Sequence, residues 1–171
     1  MMIAVCGPNE PTEEERALAE AVGEAIASAG CALVCGGRSG VMAAACKGAK
    51  ARGGTTIGIL PSYDRTDANE WVDFPIPTGL GHARNALVVA SGDAVIAVGG
   101  GFGTLSEIGL ALKMGKPVIS LISWELDAQR LERFGGEGIY QQASSANEAV
   151  ALALTYAHPD FRPLQSPTGH G

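Results

Sequence analysis

Short apolar runs and helical patterns alternate along almost the whole chain, and this alternation limits the fold most. Residues 3–6, 31–35, 55–60, 93–98 and 117–121 are short runs dominated by Val, Ile, Leu, Ala and Cys. They lack the strict apolar/polar alternation of a half-exposed strand, so they read as strands buried on both faces. Helical patterns lie between them. Thr12 and Glu15 have capping-box spacing. Leu18, Ala21, Val22, Ala25, Ile26 and Ala29 then repeat at helical intervals and give one apolar face, stopped near Gly30. Residues 41–52, 81–91 and 104–114 continue the pattern, and Ser145 with Glu148 caps a last helix to about residue 157. Residues 72–76 and 139–143 read as further strands, 62–70 as a polar loop, and 122–138 has no clear period. The expectation is an α/β chain: a three-layer αβα sandwich with a mainly parallel sheet of about six to seven strands. Ligands of such sheets bind beyond the carboxyl ends of the strands, at a topological switch point. Residues 1–157 are expected to form one domain. Residues 158–171, with three prolines and no period, are expected to form a flexible tail.

Glycine sharpens the expectation. There are 24 among 171 residues, and they cluster in two loops that each follow a strand and open a helix. The first is Gly36-Gly37-Arg38-Ser39-Gly40-Val41, the second Gly99-Gly100-Gly101-Phe102-Gly103-Thr104. A helix N-terminus presents unpaired N–H groups and partial positive charge, and glycine lets an anion approach the backbone. Gly36, Gly37, Ser39, Gly40 and Val41, with Gly100, Gly101, Gly103 and Thr104, are therefore candidate phosphate-binding residues. Common nucleotide motifs do not fit. The turn after the first strand, Gly7-Pro8-Asn9, is not GxGxxG, neither loop carries the GK[ST] of a P-loop, and Gly37-Arg38-Ser39-Gly40-Val41 lacks the second glycine of a nucleophile elbow.

Two charged residues stand out. Glu107 lies one turn into the helix after the second loop. It either caps that helix with Thr104 or faces a bound sugar or a developing cation. Arg84 lies near a helix start, where a cation opposes the helix dipole; it is a functional residue or a solvated surface arginine. His82 reads as an ordinary polar loop residue.

The remaining composition narrows the partners. Apolar residues make up 46% and charged ones 18%, which fits a packed globular chain. The net charge of −6, with no basic stripe, argues against nucleic acid and anionic membranes as partners. No apolar run has the length of a membrane span. The N-terminus enters a strand pattern without a charged leader, so a cytoplasmic protein is expected. Cys6, Cys31, Cys35 and Cys46 form no CxxC, and the histidines lack zinc-ligand spacing, so reduced structural thiols and no metal site are expected.

These motifs resemble the LOG-like superfamily of Rossmann-like proteins, often labelled "lysine decarboxylase-like". Gly36-Gly37-x-x-Gly40-Val41-Met42 is similar to its first phosphate loop, and Gly100 to Glu107 to its PGGxGTxxE signature. The stretches 59–61, 76–81 and 83–85 and the triple glycine 99–101 resemble the short branch that includes molybdenum-cofactor carrier proteins. That branch implies binding of a phosphorylated pterin cofactor. The wider family implies nucleoside 5′-monophosphate phosphoribohydrolases, with Glu107 and Arg84 as catalytic residues. Arg84 and Asn85 are further candidate phosphate-binding residues; Asn85 stands where the hydrolases have lysine, and Gly99 where they have proline. The resemblance implies a homodimer or homotetramer, with a molybdenum cofactor or a nucleoside monophosphate as ligand and no required cofactor. No lysine is placed for pyridoxal phosphate, so decarboxylation is not expected.

Overall fold

The computed structural model describes residues 1–136 and 138–157. The expected tail, residues 158–171, lies outside the described residues. In chain order the elements are β1 (Met2–Cys6), α1 (Glu13–Ser28), β2 (Ala32–Cys35), α2 (Val41–Ala51), β3 (Thr56–Leu60), β4 (Phe74–Pro77), α3 (Asn85–Ser91), β5 (Ala94–Val98), α4 (Phe102–Lys113), β6 (Val118–Leu121), α5 (Ala128–Arg133), β7 (Tyr140–Gln142) and α6 (Ala146–Tyr156). Two 3-10 turns, Arg65–Asp67 and Gly81–Arg84, precede β4 and α3.

The seven strands form one sheet in the order β4-β3-β2-β1-β5-β6-β7, and every pair is parallel. This is the three-layer Rossmann-like architecture that the apolar strands imply. Successive side chains of a strand point to opposite faces. Ile3 and Val5 pack with Val22, Ile26, Val41, Ala45, Ala149 and Ala153 of α1, α2 and α6. Ala4 and Cys6 pack on the other face with Val88 and Val89 of α3 and Ile108 and Ala111 of α4.

The helix ends follow from local chemistry. Thr12 caps α1 reciprocally: the Glu15 amide donates to Thr12 Oγ1 (3.2 Å), and the Thr12 amide donates to the Glu15 carboxylate (2.7 Å). Helices α1 and α2 meet backbone to backbone. A methyl on Gly23 would overlap the Ala45 carbonyl, and one on Gly48 would overlap the Glu20 carbonyl.

Four stretches differ from the sequence expectation. The helix expected over 81–91 divides into the 3-10 turn and α3. The fourth strand starts at Phe74, because Asp73 instead receives the Thr56 amide on its carboxylate and ion-pairs with Lys50 (2.8 Å). The unclear 122–138 stretch contains α5, too short for a period but capped by Asp127, which accepts from the Arg130 amide (2.9 Å). The helix expected from Thr104 starts two residues earlier, at Phe102.

At one edge of the sheet, β4 reads Phe-Pro-Ile-Pro; at the other, β7 has three residues. The chain lays down β2, β3 and β4 on one side of β1, then returns to place β5 on the other. The switch point therefore lies between the carboxyl ends of β1 and β5.

Candidate functional site

A cavity of about 500 Å³ opens at that switch point. Its walls come from the end of β1 and its loop (Cys6 to Asn9), Arg38 and Met42 at the start of α2, His82, Arg84 and Asn85 before and in α3, and Gly101, Gly103, Thr104 and Glu107 around the start of α4. Gly7 makes the junction tight: a Cβ there would lie 2.5 Å from Val41 Cγ1 and 2.6 Å from the Val98 carbonyl.

The two glycine loops contribute unequally. Gly101, Gly103 and Thr104 line the cavity, while Gly100 lies beside it under Trp124. From the first loop, Arg38 and Met42 line it; Gly36, Gly37, Ser39, Gly40 and Val41 do not. Two of their amides are engaged elsewhere. The Val41 amide donates to the Pro8 carbonyl (3.1 Å), and the Gly37 amide donates to Cys35 Sγ (3.3 Å). Gly40 holds φ +69° against the Pro8 and Asn9 carbonyls, where a side chain has no room. Asn69 fastens the 62–70 loop to the same turn, its amide group donating to the Gly37 and Arg38 carbonyls (3.1 and 2.9 Å).

Arg84 and Glu107 meet inside the cavity. Arg84 is 8% exposed and Glu107 6%, and the guanidinium lies 3.8 Å from the carboxylate. Arg84 is therefore not a solvated surface arginine. Its Nη1 donates to Asn85 Oδ1 (2.9 Å), and Asn85 Nδ2 donates to Ser106 Oγ (3.3 Å), which ties α3 to α4. The guanidinium packs over Gly36, where a Cβ would lie 2.6 Å from Nη1. Glu107 is no capping glutamate either. Gly101 is the N-cap, so Thr104 sits inside the first turn and Glu107 a turn further on.

Burial lifts the Glu107 carboxyl from 4.5 to about 7 against the opposing pull of Arg84 and a hydrogen bond with Cys6. Burial first, then the Glu107 charge, pushes the Cys6 thiol well above its usual range, so Cys6 is a neutral donor. Cys35 and Cys46 lie behind the first loop with their sulfurs 3.5 Å apart, and all four cysteines are free and buried. Among the described residues no cluster of His, Cys, Asp or Glu has metal-holding geometry.

Two buried polar atoms at the cavity have no partner among the described residues: Thr104 Oγ1 and Arg84 Nε. Such atoms are rare in folded proteins and call for a ligand or water. Sequence reasoning missed Cys6, Pro8, Asn9, Arg38 and His82 as wall residues. The first turn failed the GxGxxG pattern, but its place after the central strand was the signal that marks a switch-point wall.

The raised carboxyl has a stability consequence. The folded chain keeps the Glu107 proton between 4.5 and about 7, where the unfolded chain has released it. The resulting stability is fully present below 4.5 and is lost as the pH rises through 7. Glu107→Gln removes that slope. The variant is expected to gain about 3 kcal/mol on the parent between pH 4.5 and about pH 8. Urea unfolding of both proteins across that range checks it, and parallel stability curves would contradict the assignment.

The all-parallel Rossmann-type sheet, with a glycine-rich helix start and a buried arginine and glutamate at its switch point, is that of a LOG-like Rossmann-type protein, and the comparisons with known proteins support that superfamily. The model of the SLOG cluster4 family matches residues 1–151, and the chain belongs to that family. Its structure is similar to the molybdenum cofactor binding protein of the phototrophic bacterium Rippkaea orientalis, with 43% identity over 92% of this chain and 97% of that one and a TM-score of 0.83. The molybdenum cofactor carrier protein of Chlamydomonas reinhardtii is 39% identical over 90% of this chain and 96% of its own, with a TM-score of 0.77. A cytokinin riboside 5′-monophosphate phosphoribohydrolase of Mycobacterium tuberculosis is 35% identical over 71% of each chain. No helix among the described residues is long and apolar enough to cross a membrane.

Proposed function

We propose that this chain binds a small phosphorylated ligand in the switch-point cavity and serves as a molybdenum-cofactor binding or carrier protein. The observation that carries the reading is the pair of buried, unpartnered polar atoms on the cavity's lining residues, Thr104 Oγ1 in the first turn of α4 and Arg84 Nε before α3. A phosphate there meets a hydroxyl, a guanidinium and the first-turn N–H groups of α4 together. Arg38 on the wall can supply the second positive group that Asn85 does not. Likeness to the Rippkaea and Chlamydomonas proteins over nearly their whole lengths supports a pterin phosphate as cargo. The same reading has the chain act in the cytoplasm as a homodimer or homotetramer. Its net charge of −6 opposes binding to nucleic acid and anionic membranes.

A second reading, a nucleoside 5′-monophosphate phosphoribohydrolase, is favoured by one observation. Glu107, lifted to about 7, is poised beside Arg84 as both proton carrier and anion. As the anion it would steady an oxocarbenium-like ribose, while the phosphate held at α4 positions the glycosidic bond.

Mass spectrometry of the small molecules released from the denatured protein separates the two, together with incubation with nucleoside monophosphates. The expected result is a co-purified phosphorylated pterin and no free base. Base release that is lost in Glu107→Ala would establish the hydrolase instead. Failure to bind any phosphorylated compound would overturn both.

A further inference from the structure

Beside the cavity stands an aromatic pair that phosphate contacts do not use. Phe102 is the first residue of α4, between Gly101 and Gly103, which both line the cavity. Its side chain is 83% exposed, so one face of the ring is open to solvent. Trp124 lies behind it, the ring centroids 6.0 Å apart and the planes tilted by 33°.

Trp124 is held rigidly. Its indole Nε1 donates to the Gly101 carbonyl (3.2 Å), and its own carbonyl accepts from the Tyr140 hydroxyl. The indole also packs on Gly100, where a Cβ would lie 2.9 Å from Nε1. The chain reaches this position through Ile122, a β-branched residue at φ +43°. That conformation is strained for such a side chain and persists only where its surroundings enforce it. The next residue, Ser123, has a buried hydroxyl without a partner among the described residues.

We propose that Phe102, backed by Trp124, is the platform on which the planar heterocycle of a phosphorylated ligand stacks while its phosphate sits at the start of α4. This deepens, and rests on, the phosphate-binding reading. The ligand class is a phosphate ester of a fused-ring heterocycle, purine or pterin, as opposed to a plain sugar phosphate. The geometry suits it. Phe102 and the lining residue Gly103 are one step apart in the chain, about 3.8 Å between Cα atoms, so a nucleotide-sized molecule spans both places. Gly101 and Gly103, where an added Cβ would meet nothing within 4 Å, offer no side chains to block a flat ring. They also add no apolar area, and one ring falls far short of the roughly 1,000 Å² that a stable protein interface buries.

The test is calorimetric titration of the intact protein and Phe102→Ala with adenosine 5′-monophosphate, ribose 5-phosphate and inorganic phosphate. An exposed ring can be removed without threatening the fold. On the parent protein the nucleotide is expected to bind about tenfold more tightly than the sugar phosphate. In Phe102→Ala that gap is expected to close to about twofold, with ribose 5-phosphate binding unchanged. The nucleotide, and not the sugar phosphate, is expected to quench the Trp124 emission, with Trp124→Phe as the control for Trp71. A gap that survives Phe102→Ala, equal weakening of both ligands, or the absence of any gap would overturn the platform and leave phosphate binding standing. A change of sedimentation in Phe102→Ala would mean that the ring meets a second copy, and would overturn it too. Failure of all three compounds to bind would overturn the phosphate reading and the platform together.

Discussion

Gly23→Val is expected to lower unfolding stability by about 3 kcal/mol or more, the upper range for overpacking. Gly23 lies on α1 where the helix backbone crosses α2, and even a single methyl there overlaps the Ala45 carbonyl. Gly48 on α2 makes the reciprocal contact with the Glu20 carbonyl. Backbone cannot rotate away as a side chain can, so the two helices must separate. Both belong to the layer that covers Ile3, Val5 and Leu33, and separation opens that core. A glycine in the same chain provides the control. Gly109 on α4 has nothing within 4 Å of an added Cβ, so Gly109→Ala is expected to stabilise by about 0.5–1 kcal/mol through helix propensity alone. Urea midpoints of the two variants are expected to move in opposite directions. A Gly23→Val midpoint at the parent value would show that the helices are not fixed at this spacing.

Arg84→Ala is expected to weaken binding of a phosphate monoester about 100-fold, because charge-assisted hydrogen bonds from a buried guanidinium are lost. The side chain is 8% exposed, and its Nε has no partner among the described residues. Gly36→Ala offers a way to test position apart from charge. Its methyl presses on the guanidinium, so part of the loss is expected although the arginine remains. Arg84→Ala also removes the cation that opposes the upward shift of Glu107, so the pH at which Glu107 ionises is expected to rise above about 7. Titration with a phosphate ester and a pH series of unfolding curves measure the two effects. Parent-like affinity in Arg84→Ala would place the phosphate elsewhere.

Much of the fold was legible because its strands are buried on both faces. Ile3 to Cys6 and Ala94 to Val98 present apolar side chains at every position, and only a helix-covered parallel sheet hides them all. The Thr12 and Glu15 cap was legible because it is local. The start of α4 was less so: Thr104-x-x-Glu107 has the spacing of a cap, but Gly101 begins the helix and both residues turn inward. The Arg84 and Glu107 pairing is a tertiary contact between the turn before α3 and α4 that no spacing along the chain reports. The first glycine loop shows the opposite limit. Its composition suggests a phosphate cradle, yet two of its amides are bonded to Pro8 and Cys35. Such competition within the fold appears only once β1 and β2 are side by side.

The edges of the sheet carry a last consequence. Pro75 and Pro77 give β4 no amide hydrogens at half its positions, and β7 has only three residues to offer. Strand-by-strand extension from one molecule to the next, the usual route to fibrils, therefore finds a poor template at either end. A chain so rich in strands buried on both faces depends on such blunt margins to stay discrete at high concentration.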